Sequence, residues 1–152
     1  MLLPGEQSLA ISKHRLTADN VRRMFAVERE LLKLLKEIPD FEDRAAGIDP
    51  PKGNDDIDGW TRVYEAIPEM AHVLERQQIS AREYLLTKLA AMSAEVMQEA
   101  FLADEASRRL AEDELGKELL NLPAVRFWRT MDPALKAEAA EWKKVREEMG
   151  RH

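Results

Sequence analysis

The chain has 152 residues and a mass of 17.4 kDa, the size of one ordinary domain. Hydrophobic residues make up 45% and charged residues 34%, which excludes disorder throughout, and no apolar run approaches the roughly 20 residues of a membrane span. A net charge of −6 makes nucleic acid a poor partner, and the lack of cysteine excludes thiol chemistry, zinc–thiolate sites and iron–sulfur clusters.

Residues 1–15 are expected to form a flexible N-terminal segment. They lack the basic start and long apolar stretch of a signal peptide, so the chain is either cytoplasmic or a mature form whose signal was removed. Thr17 then suits an N-cap, because its hydroxyl can accept from a first-turn backbone N–H. Val21, Met24, Phe25, Leu31, Leu32, Leu35 and Ile38 fall three or four apart, which predicts a helix over Ala18–Glu37. Pro39 ends it.

The stretch from Asp40 to Asp58 holds seven acidic and two basic residues. Gly47, Pro50, Pro51, Gly53 and Asn54 mark residues 47–56 as an acidic loop, with one turn of helix at Phe41–Ala46 ahead of it. A short helix over Ile57–Ala66 follows, capped by Asp55 or Asp56. Pro68 begins another, to Gln77, as a first-turn proline that loses no helical bond. Ser80-Ala81-Arg82-Glu83 is a capping box, and Ile79 and Tyr84 stand where a hydrophobic staple needs them.

The helix so started is predicted over Ala81–Leu110 and is apolar around most of its girth. Only a narrow strip, Lys88, Glu95 and Glu99, is polar, so this helix is expected at the centre of the molecule with that strip in solvent. Gly116 ends or bends it. Asn121-Leu122-Pro123 starts a short helix carrying Phe127 and Trp128. Asp132-Pro133 starts the last one, Pro133–Met149, with Leu135, Ala139, Trp142, Val145 and Met149 as its stripe. The fold class is all-α: one domain, a bundle of five to seven helices around one long central helix.

Several patterns could carry chemistry. Asn54, Asp56, Asp58, Gly59 and Glu65 match positions 1, 3, 5, 6 and 12 of a calcium-binding EF-hand loop, which gathers about six to eight oxygens around its glycine. Pro50-Pro51 stands where the incoming helix belongs and Pro68 shortens the outgoing one, so helix capping is the favoured role of these aspartates. Glu69-Met70-Ala71-His72 is a single Glu-x-x-His unit, whereas a di-iron bundle needs two units and two more glutamates. No serine lies in a nucleophile elbow, and no glycine-rich loop is present to cradle phosphate. Met70, Met92, Met97, Trp128 and Trp142 either line an apolar pocket or form plain core, and core is the commoner use of that pattern. Trp128 and Trp142 are the candidates for contact with a partner or ligand. Trp142 leads, because its charged terminal helix is expected to be the most peripheral.

The stretch Ile67-Pro68-Glu69-Met70-Ala71 through Ile79-Ser80-Ala81-Arg82-Glu83-Tyr84-Leu85-Leu86-Thr87 resembles small exported helical proteins of Gram-negative bacteria whose function is unassigned. The Leu16-Thr17-Ala18-Asp19-Asn20 start and Val125-Arg126-Phe127-Trp128-Arg129 extend the likeness, while the acidic loop and Asp132-Pro133 depart from it. The resemblance implies a periplasmic protein and supplies no activity.

The expected function is therefore non-catalytic binding or interaction. No cofactor and no catalytic residue is assigned. The partner is a protein (a homodimer among the options) or an apolar small molecule. The alternative is a calcium-type metal-dependent protein using Asn54, Asp56, Asp58 and Glu65.

Overall fold

Each described helix starts at a residue that supplies a missing hydrogen bond or needs none. A computed structural model describes residues 11, 13–38, 52, 56–102 and 122–150, with side chains omitted at 100–102. Six helices lie among them: α1 (Ala18–Glu37), α2 (Ile57–Ala66), α3 (Pro68–Arg76), α4 (Ala81–Leu102), α5 (Pro123–Arg129) and α6 (Pro133–Met149). Thr17 caps α1 in a reciprocal box with Asn20: Asn20 N–H donates to Thr17 Oγ1 at 3.1 Å, and Thr17 N–H donates to Asn20 Oδ1 at 2.8 Å. Asp56 accepts from Gly59 N–H at 3.0 Å, and Asp132 from Leu135 N–H at 2.8 Å. Pro68, Pro123 and Pro133 each occupy a first turn. At α4, Ser80 Oγ accepts from Glu83 N–H at 3.0 Å, whereas the Glu83 carboxylate turns to Asn20 Nδ2, 3.3 Å away.

The fold class is all-α, as the periodicity predicts. Among the described residues no helix is long and apolar enough to cross a membrane. The expected turn at Phe41–Ala46, most of the loop at 47–56, the continuation of α4 over 103–110, Gly116 and residues 1–10 lie outside the described residues. Just ahead of α1, Leu16 is buried, and His14 Nε2 lies 3.0 Å from the hydroxyl of the fully buried Thr87.

One core joins all six helices. α4 packs against α1, α2, α3 and α5, and its Ala90, Ala91 and Ala94 are buried, small residues that let backbones approach closely. α6 lies along α1. The expectation that Trp142 faces outward from the last helix is corrected by its burial. Trp142 is only 2% exposed, with its ring 5.2 Å from Phe25 and 5.8 Å from Trp128. Helix α1 needs a cover for its second flank, and α6 provides it with Leu135, Ala139 and Trp142.

The solvated strip expected on α4 is corrected at Lys88 and Glu95, which are largely covered, while Glu99 is exposed as expected. Arg146 of α6 grips the Glu95 carboxylate with two bonds of 2.8 and 2.7 Å, and Lys143 meets Glu99 at 3.0 Å. Glu95 lies on a seam that α6 reaches across to, because long cationic side chains can span from a helix lying on α1.

Candidate functional site

At the middle of the α1 stripe stands an acid. Glu28 falls between Phe25 and Leu31 on the apolar face and is fully buried. A carboxylate in that position must be paired and hydrogen-bonded, since an unpaired buried charge costs several kcal/mol. Three donors satisfy it. Tyr84 O–H donates to Oε2 at 2.8 Å, Trp142 Nε1–H donates to Oε1 at 3.2 Å, and the Lys88 ammonium sits 3.1 Å from Oε1. Tyr84 and Lys88 are four residues apart on α4, so one helix face presents both. Lys88 Nζ also lies 5.9 Å from the centre of the Tyr84 ring, within cation–π range.

The electrostatics follow from this packing. Burial pushes the Tyr84 phenol well above its ordinary pKa, and the adjacent Glu28 pushes it further. Burial works against the Lys88 ammonium, but Glu28 and Tyr64 together outweigh it and hold that pKa above the ordinary lysine value. Tyr64, edge-on to Tyr84 at 5.7 Å, is also raised by burial. Proton-holding groups, rather than nucleophiles or bases, surround this carboxylate.

Lys88 also faces outward. With Trp60, Tyr64, Leu85, Leu89 and Met92 it lines a cleft of about 290 Å³ between α2 and α4. Trp60 and Tyr64 are one turn apart on α2, with rings 5.9 Å from each other. Leu85, Lys88, Leu89 and Met92 follow the three-and-four spacing of one α4 face. Lys88 is the single charged group among the described lining residues, and its side chain is 21% exposed. Glu28 stands behind it, shut off from solvent.

The residues singled out in sequence fall in different places. Met92 lines the cleft, and Met70 and Trp142 are core. Met97 lines a cavity of about 80 Å³ beside Leu122 and Val125. Trp128 is 6% exposed and borders a second, open cleft of about 470 Å³ with Met131, Ala139 and Lys143. The idea that Trp142 faces a partner is thus corrected by its burial, while one edge of Trp128 reaches a cleft.

Comparison with protein-family models, with curated proteins and with solved structures finds no match to this chain. The site stands on its geometry.

The described residues of the alternative calcium loop form the expected helix and its cap instead. Residues 57–66 are helical, so Gly59 makes no loop turn, and Asp58 and Glu65 are about 10 Å apart along the α2 axis. Asp56 caps that helix through Gly59 N–H, with Lys52 N–H donating at 2.9 Å, and those bonds hold its pKa low. Asp58 pairs with Arg82 at 3.5 Å, and Glu65 is exposed. Asn54 lies outside the described residues. Among the described residues no three acidic or histidine side chains are placed to share a metal ion.

Sequence reasoning missed Glu28, Trp60 and Tyr64, and it took Lys88 for a solvated residue. Two signals were there to be used. An acid sits in the middle of an apolar stripe in helix one, and a lysine interrupts the apolar run of helix four.

Proposed function

We propose that the protein is a non-catalytic binding protein that holds an apolar small molecule in the cleft between α2 and α4. The observation that carries this reading is the cleft wall, whose described residues are aromatic and aliphatic except for one ammonium. Its volume, about 290 Å³, lies just under the usual range of ligand sites, roughly 300–1,000 Å³, and suits a small ligand. Non-catalytic binding is supported by the chemistry beside it. Lys88 is held as an ammonium and Tyr84 as a phenol, so neither offers a nucleophile or base near neutral pH.

The neutral fluorophore N-phenyl-1-naphthylamine tests the reading. It should bind with enhanced emission to the native protein, and Leu89→Trp, which fills the cleft, should abolish that binding while far-UV circular dichroism is unchanged. Equal binding by the filled variant would refute the cleft as the site. A protein partner, a second copy included, is the other form of the proposal. The open cleft beside Trp128 favours it, with an apolar centre at Met131 and Ala139 and a charged rim of Glu99, Lys136 and Lys143. A mass in sedimentation that rises with concentration would support that form. The periplasmic location implied by the resemblance belongs to the same proposal, and cell fractionation tests it.

A further inference from the structure

We infer that the molecule held between α2 and α4 is an apolar, flat carboxylate, with its acid group on Lys88 and its body against Trp60, Tyr64 and Met92. This rests on the cleft reading above and adds the ligand's charge and shape.

The charge follows from what a ligand meets inside. An ammonium has three N–H donors. Glu28 Oε1, at 3.1 Å, takes one of them from behind. Lys88 still lines the cleft and is part-exposed, so donors remain on the cleft side. Glu28 is fully buried and is absent from the lining, and its charge is already spread over the Tyr84 O–H and Trp142 N–H. An incoming group therefore meets the cation and not the anion behind it. Arg146 adds positive potential at Lys88. A hydrogen bond from an ammonium to a carboxylate is charge-assisted and about twice as strong as a neutral one.

The shape follows from the walls. Trp60 and Tyr64 bring two neighbouring aromatic rings to the lining from α2, while Leu85, Leu89 and Met92 line it from α4. A flat ring system uses such walls better than a branched chain, since offset and edge contacts between rings add to the area buried. One cation suits one carboxylate. A phosphate dianion calls for a denser set of donors than a single lysine among apolar groups supplies.

Lys88 also arrives prepared. The Glu28 pair holds the ammonium in place before any ligand enters, so little side-chain freedom is lost on binding.

Titration of the full chain with 2-naphthoate, its neutral analogue 2-naphthamide and the cation 2-naphthylmethylammonium, followed by calorimetry and amide NMR, tests the inference. The acid should bind roughly tenfold more tightly than the amide, and the cation weakest of the three. Lys88→Met alone leaves Glu28 buried beside no cation and could fail to fold. Glu28→Gln/Lys88→Met removes both charges; the amide oxygen can still accept from the Trp142 indole N–H, and the amide NH2 can donate to the Tyr84 hydroxyl oxygen. In that double variant the acid and the amide should bind alike. An amide as tight as the acid in the native protein, or an acid preference that survives in the double variant, would overturn the carboxylate. If N-phenyl-1-naphthylamine binds and the naphthoate does not, the carboxylate inference alone falls. If none of these probes binds, the cleft reading falls with it.

Discussion

Trp142, in the last helix, donates its indole N–H to Glu28, 114 residues earlier, over 3.2 Å inside the core. The bond explains why a charged, amphipathic terminal helix is held rather than loose. It supplies one of three donors to a carboxylate that has no access to water. Arg146 reinforces the same place, with its guanidinium 3.8 Å from the centre of the Trp142 ring and two bonds to Glu95. Arg22–Glu138 at 3.0 Å and the Lys36–Glu148 pair tie α6 to α1 at its two ends.

Trp142→Phe keeps an aromatic ring in the core and removes the N–H. It should cost about 1–3 kcal/mol, the penalty for leaving a buried acceptor one donor short. Trp142→Ala adds a cavity and should cost about 3–5 kcal/mol. Urea denaturation measures both, and an unchanged midpoint for the phenylalanine variant would show the bond to be unimportant.

The Glu28–Lys88 pair should behave as a unit. Lys88→Met alone should destabilise by about 3–5 kcal/mol, because it strands a buried charge. Glu28→Gln/Lys88→Met should cost clearly less than the sum of its single changes. Simple additivity in a double-mutant cycle would count against coupling between the two side chains.

Gln78 holds a left-handed conformation, φ 55°, just past the end of α3. Its N–H donates to the Glu75 carbonyl at 3.0 Å, and Ile79 N–H donates to that of Leu74 at 3.1 Å, which together close the helix in a Schellman turn. Glycine adopts this conformation without strain. Gln78→Gly should therefore stabilise the protein by about 0.5–1 kcal/mol, even after the extra freedom glycine gives the unfolded chain. A lowered melting temperature would contradict the assignment.

Burial lowers the pKa of His14 from the ordinary 6.5, with Glu83 acting weakly the other way. The unfolded chain thus binds a proton at a pH where the folded chain does not. Stability should be unaffected by this group above pH 6.5, fall as the pH drops below 6.5, and level off once the folded histidine is protonated too. His14→Gln should flatten that part of the profile. Denaturation midpoints measured between pH 7 and pH 5, a window above the ordinary carboxylate range of roughly 4, would show no difference between the two proteins if His14 titrates normally.

Helix limits were legible in the chain because their causes are local. Thr17, Asp56, Ser80 and Asp132 each serve a backbone N–H three residues on, and Pro68, Pro123 and Pro133 each sit in a first turn. Such interactions need no distant partner, so residue type and spacing suffice to find them. The apolar stripes likewise announced an all-α fold, since a period of 3.6 residues leaves few alternatives.

The site was of another kind. Glu28 and Lys88 look like ordinary members of charged helices until the fold sets them 3.1 Å apart, with Tyr84 and Trp142 completing the shell. Whether a charge is solvated or buried depends on which helix covers it. The placement of α6 on α1 is what turned Trp142 from an outer residue into the donor for Glu28, and Arg146 into the partner of Glu95. The cleft has the same origin: Trp60 and Tyr64 face Lys88 and Met92 only because α2 packs on α4, a contact between segments that no local spacing encodes.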